Sequence, residues 1–224
     1  IEALGKRVRQ AEEDIYRVNV FSFPPDFMTD KDLIPDVYLG DARNLSNIRF
    51  KRPPTLILTS PPYANRYDYT RSYSLELCFH FAKSFEELEA IRFGILRSHI
   101  ESKIQEGEKP CHPVIEEIVE ALSRKKLNNP QIPTMLTTYF IDMEKVIKQW
   151  GKVLATQAKV VMVVDNVRFE GELIPVDLVL SEMAEDIGFK VKGIIVARYK
   201  GNSSQQMLKY GRIPVRESIV VWEK

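Results

Sequence analysis

Two apolar runs, residues 54–59 (PTLILT) and 158–164 (AKVVMVV), constrain the fold of this chain more than any other feature. Both are short, rich in Leu, Ile, Val and Thr, and show no regular alternation of apolar with polar residues. A strand of that kind is apolar on both faces and suits the middle of a parallel sheet covered by helices on either side. Each run ends abruptly. Pro61 and Pro62 stop the first, since neither can donate to a ladder and Ser60 is pushed out of the helical region. Asp165 and Asn166 close the second with turn chemistry.

The rest of the chain fits the same plan. Residues 37–39 (VYL), ending at Gly40-Asp41, read as a further short strand, and 190–199 and 217–222 as two closing strands with no helix between them. Leu4, Val8, Ala11, Ile15 and Val18 have the spacing of an amphipathic helix, and three prolines mark 21–35 as a loop. Helical patterning covers about 72–124, with a break at 107–113, then 137–150 and 175–186, where Gly188 supplies a stop. Strands alternating with helices predict an α/β fold with a largely parallel sheet and a C-terminal antiparallel hairpin. The organisation expected is an N-terminal helix and loop (1–35) and one α/β domain (36–224). Within it, residues 81–133 are too long for a simple crossover and read as a helical insertion.

Composition excludes several classes. Hydrophobic residues at 44% and charged residues at 28% give a globular core, and no apolar run is long enough to span a membrane. Cys78 and Cys111 are the two cysteines, too few for a disulfide framework or a zinc ribbon, so the expected location is cytoplasmic. His80, His99 and His112 have no metal spacing, and no metal site is expected. A net charge of +1 neither favours nor excludes nucleic acid, because only a binding face need be positive. The first residue is Ile1 rather than Met, so the chain is expected to continue upstream.

Chemistry concentrates at Thr59-Ser60-Pro61-Pro62-Tyr63, directly after a buried strand, on the sheet edge where open α/β folds bind ligands. The double proline is a stiff turn whose carbonyls point outward. Together with a hydroxyl and an aromatic ring it can cradle a flat group bearing an amine. The bland reading, in which two prolines end a strand and Tyr63 packs, has about equal weight for an isolated S-P-P-Y.

T-S-P-P-Y resembles the catalytic motif of amino-methylating DNA methyltransferases, in the serine form usual for N4-cytosine enzymes; N6-adenine enzymes more often begin with Asp or Asn. The resemblance implies a Rossmann-like class I methyltransferase sheet, S-adenosyl-L-methionine (AdoMet) as cofactor and double-stranded DNA as partner. It implies that the Ser60 side chain and the Pro61 carbonyl accept hydrogen bonds from the target amine, that Pro62 stiffens the turn, and that Tyr63 stacks on the flipped base. It assigns Asp41, Ala42 and Thr59 to the AdoMet pocket, against the alternative that Asp41 only caps a turn. Asn65, Arg66, Tyr69 and Arg71, which follow the motif, suit phosphate contact and stacking, as a solvated loop would also do. Asn202, Ser203, Gln205, Gln206 and Arg212 form a polar loop able to reach DNA, and Asp165-Asn166 reads more simply as turn chemistry.

The family's glycine-rich cofactor turn is absent: ten glycines include no G-x-G. An upstream segment or a second chain is therefore expected to supply the rest of the AdoMet site. The leading expectation is N4-cytosine methylation of DNA in a restriction-modification setting. N6-adenine methylation, RNA or protein amine methylation, and a catalytically incomplete DNA-binding subunit remain as alternatives.

Overall fold

A computed structural model describes residues 37–110, 112–201, 209–211 and 213–224. The chain divides into two units, residues 1–39 and 40–224, and every element named below lies in the second. The expected helix and loop of residues 1–35 lie outside the described residues, as do Asn202, Ser203, Gln205, Gln206 and Arg212.

Four strands make the main sheet: β1 (Leu56–Thr59), β2 (Lys159–Asp165), β5 (Lys190–Lys200) and β6 (Val215–Glu223), in the order β1-β2-β6-β5. β1 and β2 are parallel, and β6 pairs antiparallel with both β2 and β5. β1, β2 and β5 therefore share one direction, with β6 alone reversed between two of them. The largely parallel sheet and the C-terminal antiparallel hairpin are both present, in a mixed α/β architecture. A second hairpin, β3 (Val167–Phe169) and β4 (Glu172–Ile174), was not legible in advance. Its turn residues Glu170 and Gly171 have φ of 45° and 86°, the left-handed pair that a two-residue hairpin turn demands.

Helices α1 (Tyr69–Ser72), α2 (Ser74–His80), α3 (Phe85–Gly94) and α4 (Pro113–Ser123) follow β1, and α5 (Ile132–Val153) leads into β2. α6 (Val176–Ile187) then ends at Gly188, whose φ of 103° is the left-handed stop foreseen from the sequence. The core forms where α5 and α6 cover one face of the sheet. Met143, Ile147, Leu180 and Ala184 pack with Val160, Met162, Val164, Val220 and Trp222, all fully buried or nearly so. Ile115 and Leu122 of α4 join the same cluster, so part of the expected insertion shares the core of the domain.

Two strand expectations met different fates. Residues 37–39 form no strand, and Val37 and Leu39 are exposed; three residues without a ladder partner have no fixed extended conformation. β1 forms as expected but stands at the edge of the described sheet. Ile57 packs against the core, while Leu56 and Leu58, which point to the opposite face, are 55% and 74% exposed. The second apolar face read from PTLILT is real, but among the described residues nothing covers it.

Candidate active site

The parallel strands β1 and β2 both end at the same edge of the sheet, and T-S-P-P-Y begins there as β1 stops at Thr59. The two prolines carry the chain out of the ladder. Among the described residues nothing donates to the Pro61 carbonyl, so it remains a free acceptor. The Tyr63 carbonyl turns back to accept from the Asn65 amide at 2.8 Å, which closes the turn, and Ala64 is fully buried beneath it. Ser60 is exposed, and its hydroxyl makes one long contact with the Tyr63 hydroxyl at 3.4 Å. Its lone pairs are therefore open to an incoming donor.

Tyr63 is held from the far end of the chain. Its hydroxyl donates to Glu217 Oε1 at 3.1 Å, and Glu217 on β6 is in turn paired with Arg198 on β5. The Arg198 hydrogen bonds hold the Glu217 carboxyl below its usual pKa, whereas burial raises that of the Tyr63 phenol. The Lys200 ammonium lies 5.4 Å from the centroid of the Tyr63 ring and bonds Asp165 Oδ2 at 2.5 Å. Two tips of the β5–β6 hairpin thus clamp the ring through its hydroxyl and its face. Glu217, Arg198 and Lys200 were missed from sequence, where the first two looked like ordinary charges on strands and Lys200 like the start of a polar loop. Asp165 was read as turn chemistry. It is 4% exposed, and burial raises its pKa against the opposing pull of Lys200.

The residues after the motif form a second layer. Arg66 adopts φ of 70° and places its guanidinium 5.5 Å from the Phe169 ring, while Asn65 Oδ1 accepts from the Tyr67 amide at 3.2 Å. Tyr69 stacks parallel to Tyr73 at 6.4 Å and meets Tyr67 edge-on at 4.8 Å. Arg71 is paired with Asp68 and Glu101, so a phosphate would compete with two carboxylates for it. Asn65 and Arg66 line a cleft of about 230 Å³ with Asp165, Asn166, Arg168 and Lys200.

The residues assigned to the cofactor are differently placed. Both oxygens of the Asp41 carboxylate are taken by Arg43, at 3.0 Å from Nε and 2.8 Å from Nη2, and these bonds lower its pKa. Arg43 continues to Asp142 at 2.9 Å, and Asp142, 1% exposed, also binds Arg97, itself paired with Glu108. Lys145 joins the same network at Glu108, 2.9 Å away, so Asp41 is the outer end of a six-residue ion network. Thr59 is half-buried on the edge strand, and Ala42 is exposed. As the chain stands, the Asp41 carboxylate is engaged by Arg43. Among the described residues no cluster of His, Cys, Asp and Glu could hold a metal, and no helix is long and apolar enough to cross a membrane.

Fold and site define an α/β protein with a rigid, acceptor-rich turn and a clamped aromatic ring at the carboxyl edge of its parallel strands. No family model matches the chain. Curated relatives do. The type II methyltransferase M.AvaI of Nostoc sp. (strain PCC 7120) is 41% identical over 182 residues, which are 75% of this chain and 38% of that protein. M.BsoBI of Geobacillus stearothermophilus is 35% identical over a 247-residue alignment covering 100% of this chain and 47% of its own. Among solved structures, a putative DNA modification methylase of Thermus thermophilus, complexed with S-adenosyl-L-methionine, is 17% identical over 83% of this chain and 54% of its own. Its TM-score of 0.41 is too slight a likeness to reason from. This chain is a relative of the type II DNA methyltransferases, spanning less than half the length of the curated ones it matches.

Proposed function

We propose that this chain is the substrate-side portion of a DNA methyltransferase, which transfers a methyl group to the exocyclic amine of a flipped base, N4 of cytosine. The observation that carries the reading is the turn from Ser60 to Tyr63, with two unengaged acceptors beside a ring clamped by Glu217. The proposed cofactor, AdoMet, supplies an electrophilic methyl on sulfur.

An exocyclic amine is a weak nucleophile because its lone pair is delocalised into the ring. The Ser60 hydroxyl and the Pro61 carbonyl, by accepting its two hydrogens, favour the pyramidal form in which the lone pair is free. Ser60 is no strong base, so its contribution is positioning and hydrogen bonding. Extrusion of a base costs a few kcal/mol, and stacking on Tyr63 returns about 1–3 kcal/mol. The Glu217 bond keeps the ring oriented before the base arrives, so no ordering of the ring opposes binding.

We also infer that the AdoMet pocket is completed by polypeptide outside the described residues, in the same chain or a partner. The edge position of β1 and the exposure of Leu56 and Leu58 support this, because an apolar parallel edge strand is stable in water only when paired and covered. Asp41 then exchanges Arg43 for a cofactor donor, while Ala42 and Thr59 supply wall.

The test is transfer of labelled methyl from AdoMet to duplex DNA by the full-length protein, followed by digestion to nucleosides. N4-methylcytosine is the expected product. N6-methyladenine alone moves the reading to adenine, and label on RNA or protein but not on DNA overturns it. A full-length protein that binds DNA but not AdoMet is the incomplete subunit instead.

A further inference from the structure

Most arginines of the described residues are neutralised within the protein. Arg43, Arg71, Arg92, Arg97, Arg198 and Arg216 each pair with a carboxylate. Arg66 and Arg168 pair with none, and both line the cleft of about 230 Å³ beside the turn. Lys200 and Asp165 also line it and are bonded to each other. No further acid stands in this wall, so the charges of Arg66 and Arg168 are left unmatched. A larger cleft, of about 490 Å³, shows the contrast: it sets Arg92 and Lys103 against Glu89 and Glu101 and is balanced.

The two guanidiniums are also held in place. Arg66 has φ of 70°, a left-handed conformation that strains any residue but glycine, and its guanidinium lies 5.5 Å from the Phe169 ring. Its one hydrogen bond is long, 3.5 Å from Nη1 to Asn128 Oδ1. Arg168 is anchored on β3 through Nη1, which donates to the Gly171 carbonyl at 2.6 Å, and its Nη2 has no partner. Asn65 accepts from the Tyr67 amide and leaves its side-chain NH2 unbonded. Gathering like charges without a counter-charge costs free energy, so the arrangement suits a site kept for an anion.

The neighbourhood says which anion. Lys200, on the cleft wall, is 5.4 Å from the centroid of the Tyr63 ring, so the cleft adjoins the ring on which the target base would stack. A stacked base carries its phosphates one sugar away. Guanidinium and side-chain amide groups are common partners of phosphate oxygens.

We propose that Arg66 and Arg168, with Asn65, grip a DNA backbone phosphate next to the methylated nucleotide, and that the β3–β4 hairpin is the arm that brings the second guanidinium to it. The proposal rests on the DNA-methylation reading. Arg66 was an expected DNA contact from sequence; Arg168 and the hairpin were not.

The experiment measures binding of the full-length protein to duplex DNA over a series of salt concentrations. Each phosphate contact contributes about 0.9 to the slope of log affinity against log salt. Arg66→Gln and Arg168→Gln should each weaken binding and make the slope shallower by about one, and the double variant by about two. Arg66→Lys and Arg168→Lys should keep most of the wild-type slope, because a lysine still displaces a counterion. Lys192→Gln is the comparison. It removes a positive charge from the other end of β5, about 26 Å from Lys200 along the strand, and should leave the slope unchanged. The proposal is overturned if the Gln variants keep the wild-type slope, if the Lys variants lose as much slope as the Gln variants, or if Lys192→Gln flattens it equally. It is also overturned if the Gln variants weaken AdoMet binding and not DNA binding, which would make the anion the carboxylate of AdoMet. A wild type that methylates DNA while its variants fail these tests keeps the underlying reading. A wild type that neither binds nor methylates DNA removes that reading, and this proposal with it.

Discussion

Two charged regions of the molecule, one around Tyr63 and one around Asp41, are built to opposite ends. Around Tyr63, charges from β5 and β6 reach inward to hold one ring, and they leave acceptors on Ser60, Pro61 and Asp165 unengaged. Around Asp41, every carboxylate is matched: Arg43 spans Asp41 and Asp142, and Arg97 spans Asp142 and Glu108. The first region is organised for something that arrives; the second is satisfied as it stands. On the proposed reading, the substrate side is preformed within this chain, whereas the cofactor side opens only when Arg43 is drawn off by further polypeptide or ligand.

The comparison breaks most visibly at Asp142. Replacing it with Ala leaves Arg97, which is 8% exposed at its side chain, with Glu108 as its one remaining carboxylate, and loosens Arg43. Removing one partner of a buried pair costs about 3–5 kcal/mol, so the melting temperature should fall by many degrees and the protein should aggregate on mild heating. Near-wild-type stability would mean that the network is decoration rather than support. Tyr63→Ala should do the reverse, leaving the melting temperature almost unchanged and lowering methyl transfer. Loss of about 1–3 kcal/mol of stacking corresponds to roughly five- to 150-fold, read as kcat/KM on duplex DNA. Tyr63→Phe keeps the ring and loses the 3.1 Å bond to Glu217, so its loss should be several-fold only. If Phe is as damaging as Ala, the hydroxyl rather than the ring does the work.

A smaller and pH-dependent effect belongs to Glu108. Its hydrogen bonds to Arg97 hold its pKa down, from 4.5 to about 2. An acid with a folded pKa below its unfolded one stabilises the fold above the unfolded value and ceases to do so as pH falls through the folded one. Wild type should therefore exceed Glu108→Gln in stability at pH 6, with the gap closing between about pH 4.5 and 2 in acid melts. A gap that stays constant across that range would mean the glutamate contributes shape and not charge.

What could be read in advance follows the same division. Ser60 to Tyr63 was legible because its properties are local: prolines fix their own backbone, and a serine and a tyrosine carry their chemistry wherever they stand. The sheet was legible through β1 and β2, whose apolar runs have few other uses. Glu217 was not, because its meaning is a contact 154 residues away in sequence. Asp142 sits in a helix whose periodic pattern assigns it only a face, and the pattern does not say that two arginines converge there. Residues 37–39 were given a strand on local propensity, although a strand exists only through its partner. The β3–β4 hairpin left one usable trace, the glycine at 171, in strands of three residues each.

The smallest effect separates the two regions most sharply, because its sign differs. Burial raises the pKa of Asp165 despite Lys200, so the folded protein holds this acid protonated more readily than the unfolded chain does. Such a group supports the fold most below its unfolded pKa, and the support is lost as pH rises through the folded pKa. The ionised carboxylate is then a burden with one oxygen unsatisfied. Asp165→Asn removes that burden and leaves Lys200, 34% exposed at its side chain, able to turn to water. The variant should melt at the same temperature as wild type or slightly above it at pH 7, with the advantage shrinking below the carboxylate range. That is the opposite slope to Glu108→Gln. A clear drop in melting temperature at pH 7 would put Asp165 with Asp142, among residues that hold the fold together, and would remove the contrast between the two regions.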